Sequence, residues 1–298
     1  MVIDGRTIAN HILEDLTIRV KSLEKKYGIQ PHMAVVRVGD DPATTSYIDS
    51  KQKTAAKIGA TVSVYNHPES ISQEKLRDTL QFLQKNPSIH GIILQLPIPK
   101  HLDEKELLQE ISPEKDVDGF VKDSKFIVPV ASAILKILEF VRDKESPQDN
   151  LLSFLITKKI VVIGKGTTGG GPVIAILQKL GIQPIVIDSS TAKHEQLTMD
   201  ADIIIPAVGK ADIIRSDNIK KDVILIGIGM HRNDDQTFGG DYSEIDIAKK
   251  ASWYTPNPGG VGPVNVAMLM QNLVIAAECP KLKSRLSAVI THNNTTYF

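Results

Sequence analysis

Four apolar residues, Ile160-Val161-Val162-Ile163, run directly into Gly164-Lys165-Gly166-Thr167-Thr168-Gly169 and then into helical spacing as far as Leu180. A strand that meets a G-x-G-x-x-G turn and leaves as a helix is the start of a dinucleotide-binding βαβ unit. Glycines let the backbone turn tightly and approach a pyrophosphate, whose charge the free N–H groups of the helix N-terminus stabilise. The plainer reading of the same residues is a flexible glycine-rich turn. Further apolar strands at 185–187, 203–205 and 223–226 make the stretch an open parallel α/β sheet of Rossmann type. In this frame Gly164, Lys165, Gly166, Thr167 and Gly169 are the candidate cofactor loop.

Asp188 ends the next strand, where such folds place an acid against the ribose hydroxyls. It favours NAD and repels a 2′-phosphate, whereas Lys165 can reach that phosphate. Asp188 carries more weight, because a carboxylate beside a phosphate is costly. NAD or NADP is therefore the expected cofactor, with NAD favoured. The alternative for Asp188 is a turn acid before Ser189-Ser190-Thr191.

The first third shows a second α/β pattern. Ala34 to Val38 is β-branched and closes at Gly39-Asp40-Asp41-Pro42, residues 47–58 have helical spacing and stop at Gly59, Thr61 to Tyr65 is a strand, 72–84 is a helix, and Gly91 to Leu96 is a buried strand. Repeated βα units imply a parallel sheet covered on both faces. Residues 112–132 are irregular, and a helix over 131–141 followed by the polar run 142–150 reads as a domain junction. Residues 263–278 are apolar and helical.

Tyr47 and Lys51 lie four apart on one helix, so they share a face. A partly buried lysine loses ammonium solvation, which lowers its pKa and suits it to proton transfer. With Lys53 and Lys57 nearby, a solvated basic face is the plainer alternative. Tyr-x-x-x-Lys also occurs in short-chain dehydrogenases, but there it follows the dinucleotide loop, and here it precedes it. Gln95 at a strand end and the acids Asp116 and Asp118 complete a possible polar cluster, since ligands gather outside the carboxyl ends of such strands. A calcium loop is rejected because Gly119 comes too early and no further acid follows at the right spacing; no metal is expected.

Bulk properties narrow the class. In 298 residues, enough for two domains, Lys plus Arg and Asp plus Glu both number 35, so no net field draws the chain to nucleic acid or an anionic membrane. The single cysteine, Cys279, forms no internal disulfide, which suits the cytoplasm. No signal-like or membrane-spanning stretch is read, so neither nucleic acid nor membrane is an expected partner.

Four segments together resemble one family, the bifunctional methylenetetrahydrofolate dehydrogenase/methenyltetrahydrofolate cyclohydrolases. They are Val38-Gly39-Asp40-Asp41-Pro42-Ala43 running on to Tyr47-x-x-x-Lys51-x-Lys53, Gly91-Ile92-Ile93-Leu94-Gln95-Leu96-Pro97-Ile98-Pro99, Pro113-Glu114-Lys115-Asp116-Val117-Asp118-Gly119-Phe120, and Thr255-Pro256-Asn257-Pro258-Gly259-Gly260-Val261-Gly262-Pro263. Ala207-Val208-Gly209-Lys210 and Gly240-Asp241 extend the likeness. The resemblance implies two open parallel-sheet domains, with 1–128 and 264–298 forming a folate-binding catalytic domain to which the last helix returns, and 129–263 a Rossmann-type NAD(P) domain. It implies Lys51 as the central catalytic group, Gln95 holding it, Asp118 on the pterin and Tyr47 stacked on the aminobenzoyl ring. Gly259, Gly260 and Pro263 would shape the loop beside folate and nicotinamide, and Val208 and Gly209 would touch the cofactor. Tetrahydrofolate derivatives are the implied substrates and a homodimer the implied assembly.

The chain departs from the family pattern in three places: 120–129 is short and Val130-Ala131-Ser132 replaces a Cys-Thr-Pro, Lys165-Gly166 replaces Arg-Ser, and Asn265 replaces a Thr. Two other functions stay open from the residues alone. One is a dehydrogenase of another small acid, for which Lys51 is incidental; the other is a non-catalytic nucleotide-sensing regulator.

Overall fold

The computed structural model describes residues 1–293 apart from Lys193 and residues 234–236; for residues 42, 43 and 280–293 only the backbone is described. By contacts the chain forms two compact units, one of Ile12–Pro129 with the segment from Leu269, the other of Met1–His11 with Val130–Met268.

Helix α1 (Gly5–Tyr27) has no counterpart in the sequence reading. Asp4 opens it, accepting from the Arg6 N–H at 3.0 Å and the Thr7 hydroxyl at 2.7 Å. Ala9, Leu13, Leu16, Val20 and Leu23 form its buried stripe.

In the first unit, strands β1 (His32–Val38), β2 (Thr61–His67) and β3 (Gly91–Leu94) form a parallel sheet in the order β2-β1-β3. Helix α2 (Pro42–Ile58) starts five residues before the spacing suggests, because Asp41 accepts from the Thr44 N–H at 2.7 Å and Pro42 takes the first helical position. Helix α3 (Gln73–Lys85) is capped by Ser72 at one end. At the other, Lys115 Nζ donates to the carbonyls of Gln84 and Asn86 at 2.9 and 2.7 Å. Leu76, Leu80, Leu83, Val36, Ile92 and Leu94, with Leu107 from the short helix α4 (Glu104–Leu108), form the core of one sheet face.

After its N-terminal segment Met1–His11, the second unit resumes within α5 (Pro129–Glu145), followed by α6 (Leu151–Ile156). Then come β4 (Ile160–Ile163), α7 (Gly170–Lys179), β5 (Ile185–Ile187), α8 (His194–Met199), β6 (Ile203–Pro206) and β7 (Ile224–Leu225). A hairpin, β8 (Met230–Arg232) and β9 (Phe238–Gly240), precedes α9 (Glu244–Ile247) and β10 (Trp253–Tyr254). The five-stranded sheet is parallel, in the order β10-β7-β6-β4-β5. Chain direction across the sheet reverses beside β4, so the crevice at its carboxyl end is the switch point where open α/β sheets take ligands. The N-terminus joins this sheet: the Ile3 N–H donates to Tyr254 O at 2.8 Å and the Tyr254 N–H to Met1 O at 3.0 Å.

Helix α10 (Val261–Asn293) passes from this unit into the first. Its segment Val261–Cys279 is long and apolar enough to cross a membrane, but 67% of it is buried inside the protein, as in a core helix.

Candidate active site

Lys51 sits mid-way along α2 and is only 9% exposed. Its Nζ donates to Gln95 Oε1 at 2.8 Å. Gln95 follows β3 directly; its backbone N–H extends the ladder to Val36 O at 2.9 Å, and its Nε2 donates to Leu96 O at 3.0 Å. That second bond leaves the amide oxygen facing the amine, so the orientation of Lys51 is set by strand geometry. Burial pulls the Lys51 pKa below that of an ordinary amine, and the nearby Asp118 carboxylate pulls it back up. Burial likewise raises Asp118, against the charge of Lys51 and with that of Asp116. Amine, amide and carboxylate thus form one electrostatically coupled group.

The two acids of the Asp-Val-Asp turn divide the work. Asp116, buried, accepts from the N–H groups of Gly119 at 3.0 Å and Val121 at 2.8 Å and so folds the loop. Asp118 accepts no hydrogen bond among the described residues, and its lone pairs remain available to a ligand. Sequence reasoning missed what anchors this loop. Asn272 of α10, also buried, donates through Nδ2 to Val117 O at 2.9 Å and Ile127 O at 3.0 Å, clamping both ends of the segment that carries Asp118. Tyr47, one helical turn before Lys51, is 47% exposed, which leaves a ring face free for stacking.

The remaining candidates lie in the other unit. Gly164 has φ +89°, and residues 165–168 are exposed. The closest backbone approach in this loop is at Gly170, the first residue of α7, where a Cβ would stand 1.9 Å from Gly164 O. This close-packed glycine lies one residue beyond the G-x-G-x-x-G stretch. This close approach, with an exposed loop leading into the α7 N-terminus, is the cradle a dinucleotide pyrophosphate needs. Val208, 37% exposed, packs beside Gly164, with its Cγ2 3.4 Å from where a Cβ would lie.

Lys165 and Asp188, rivals in the sequence reading, are partners: Nζ and Oδ2 are 2.7 Å apart. Asp188 Oδ1 also accepts from the Ser190 N–H at 2.9 Å and its hydroxyl at 2.6 Å, so the turn-acid role is realised as well. The Lys165 ammonium, then Ser190, hold the Asp188 carboxyl well below the usual carboxylate range.

Gly259 and Gly260 precede α10, and Pro263 lies in its first turn, where its missing N–H costs no helical bond. A Cβ at Gly5 would lie 1.8 Å from Gly260 O, so the start of α1 buttresses this loop through backbone contact.

The family model for the tetrahydrofolate dehydrogenase/cyclohydrolase catalytic domain matches residues 3–118, and that for the NAD(P)-binding domain of the same proteins matches 150–281. The bifunctional protein FolD of Ligilactobacillus salivarius is 35% identical over 283 residues, covering 93% of this chain and 96% of that one. The FolD protein of Nautilia profundicola is 36% identical over 285 residues, covering 93% and 97%. Among solved structures, the bifunctional methylenetetrahydrofolate dehydrogenase/cyclohydrolase of Campylobacter jejuni superimposes with a TM-score of 0.85 at 33% identity, covering 94% of this chain and 99% of that one. The Trypanosoma brucei enzyme, solved with NADP and an inhibitor, does so with a TM-score of 0.85 at 28% identity, covering 94% and 98%.

Proposed function

The chain belongs to the tetrahydrofolate dehydrogenase/cyclohydrolase family, and from that premise we propose that Lys51, held by Gln95 and coupled to Asp118, is its proton-transfer centre. The enzyme oxidises 5,10-methylenetetrahydrofolate to the methenyl form with NAD or NADP and hydrolyses that product to 10-formyltetrahydrofolate. The observation that carries the assignment is a buried amine 2.8 Å from an amide oxygen, with a carboxylate free of other bonds in its field.

The residue roles follow from charge and proton balance. Asp118 accepts hydrogen bonds from the pterin amino and ring N–H groups and fixes the ring. Tyr47 stacks on the aminobenzoyl ring. Held by the glycine loop, a nicotinamide cofactor would supply the acceptor for the hydride that the methylene carbon loses. Water then adds to the methenyl carbon and loses one proton; the adduct collapses to the formyl carbonyl as its hydroxyl loses the second and the departing ring nitrogen takes one up, so one proton is released net, and Lys51, its pKa lowered by burial, relays the transfer. Gln95 keeps the Nζ directed at this point. Gly259, Gly260 and Pro263 shape the folate and nicotinamide loop, and Gly164 to Gly170 hold the pyrophosphate.

The domain division of 1–128 with 264–298 against 129–263, a homodimer and a cytoplasmic location belong to the same reading.

Purified protein mixed with methylenetetrahydrofolate and either dinucleotide should form and then lose methenyl absorbance; formation without decay would remove Lys51 from its role. NAD should give the higher kcat/KM. A 2′-phosphate meets the Asp188 carboxylate as a like charge and must compete with it for Lys165. Asp188→Ser should narrow or reverse the preference by releasing Lys165 to the phosphate, and adding Lys165→Ala should cancel that gain. The two changes should therefore be non-additive. A higher kcat/KM with NADP in the unmodified protein would mean that Lys165 governs the pocket.

A further inference from the structure

Beyond β6 the chain turns through Ala207 to Lys210 against the glycine loop. The Ala207 N–H donates to Ile163 O at 2.8 Å, and a Cβ at Gly164 would meet Ala207 O at 2.9 Å. Within the turn, with Gly209 at φ +69°, three successive N–H groups converge on one point. Such a concavity of N–H groups attracts an anion.

Its anion is the chain's own. Asp241 Oδ1 accepts from Gly209 at 2.7 Å and Lys210 at 3.0 Å, and Oδ2 from Val208 at 3.3 Å. The residue is 0% exposed and has no ion-pair partner among the described residues. Space for the carboxylate exists because residue 229 is glycine, where a Cβ would lie 2.1 Å from Oδ2. A buried carboxylate without a cation is costly unless its lone pairs are filled, so this one is tied to the shape of the turn.

We propose that Asp241 is a positioning residue for the dehydrogenase step. By occupying the inner face of the turn it sets the outer face, Val208 and Gly209, beside the glycine loop. This rests on the reading of Val208 and Gly209 as cofactor contacts and deepens it. With the N–H groups already taken and a negative charge beneath them, the turn receives an uncharged part of the dinucleotide, and the phosphates are left to the glycine loop. Asp241 has no bond to Lys51, Gln95 or Asp118, so its removal acts on dinucleotide binding and not on hydrolysis of the methenyl compound.

The test measures NAD and NADP dissociation constants, and cyclohydrolase turnover without dinucleotide, for Asp241→Ala, Asp241→Asn and Val208→Asp. Loss of all three bonds in Asp241→Ala should weaken dinucleotide binding about tenfold or more. Asp241→Asn should lie between it and the parent, because an amide oxygen can still accept from Gly209 and Lys210. Cyclohydrolase turnover should stay within about twofold in the two Asp241 variants, since its proton chemistry lies elsewhere. Parent-like dinucleotide affinity in Asp241→Ala, or in Asp241→Asn should the alanine variant not fold, overturns the proposal. So does cyclohydrolase turnover falling in step with affinity, which would mean general loss of structure. If Val208→Asp weakens binding and Asp241→Ala does not, the turn contacts cofactor but Asp241 does not position it; if neither does, the reading of Val208 and Gly209 fails as well.

Discussion

Lys51→Met loses cyclohydrolase turnover by about 10²–10⁴-fold, the usual contribution of a positioned proton-transfer group, while its melting temperature equals or exceeds that of the parent. The two halves of this expectation have one cause. Burial lowers the folded-state pKa of Lys51 below its unfolded value, so between the two values the unfolded chain binds more protons and stability rises with pH. Below the folded value both states carry the proton, and that stabilisation is absent. At any pH below the unfolded value the shift therefore weighs against folding, and a methionine of similar length removes the burden while filling the space. Without the Lys51 charge the Asp118 pKa moves further up, in the direction burial already pushes it. Decay of methenyl absorbance and a thermal melt check both halves. Parent-like turnover would end the assignment of Lys51, and a large fall in melting temperature would mean that its contact with Gln95 is structural.

Legibility in the sequence followed the range of the interactions. Strands β1, β3, β4 and β6 are apolar runs bounded by turn residues, and β4 was located to the residue because its glycine loop follows at once. Tyr47 and Lys51 were found because helical spacing alone puts them on one face. Helix α1 was missed although Ala9, Leu13, Leu16, Val20 and Leu23 alternate by four and three; its charged remainder hid a stripe that packing defines. Asp116 and Asp118 look alike in sequence, and only the backbone N–H groups of Gly119 and Val121 separate the loop-former from the free acid. Asn272 bonds Val117 across 155 positions and Asp241 bonds Val208 across 33, so neither leaves a local signature. The pairing of Lys165 with Asp188 was equally out of reach, since two opposite charges near one loop can compete for a ligand or neutralise each other, and the choice depends on a distance.

Asp118→Ala should raise the folate dissociation constant by about ten- to a hundredfold, the range for losing one charge-assisted hydrogen bond of about 1.5–3 kcal/mol. The carboxylate accepts no bond from the described residues, so its removal leaves no donor stranded and should cost the fold little. Asp116 and Asn272 still hold the loop, and the affinity loss then belongs to the ligand contact and not to collapse of the turn. A second readout separates this role from a structural one. Asp118 is the charge that pulls the Lys51 pKa back up, so without it Lys51 titrates at lower pH. If the neutral amine is the working form, the rising limb of the cyclohydrolase pH–rate profile should move to lower pH in Asp118→Ala, and also in Asp118→Asn, which keeps the shape but not the charge. Isothermal titration with tetrahydrofolate and a pH–rate series on both variants check the two effects. Unchanged affinity with an unmoved profile would reduce Asp118 to a turn residue and leave Lys51 and Gln95 without an electrostatic partner in catalysis.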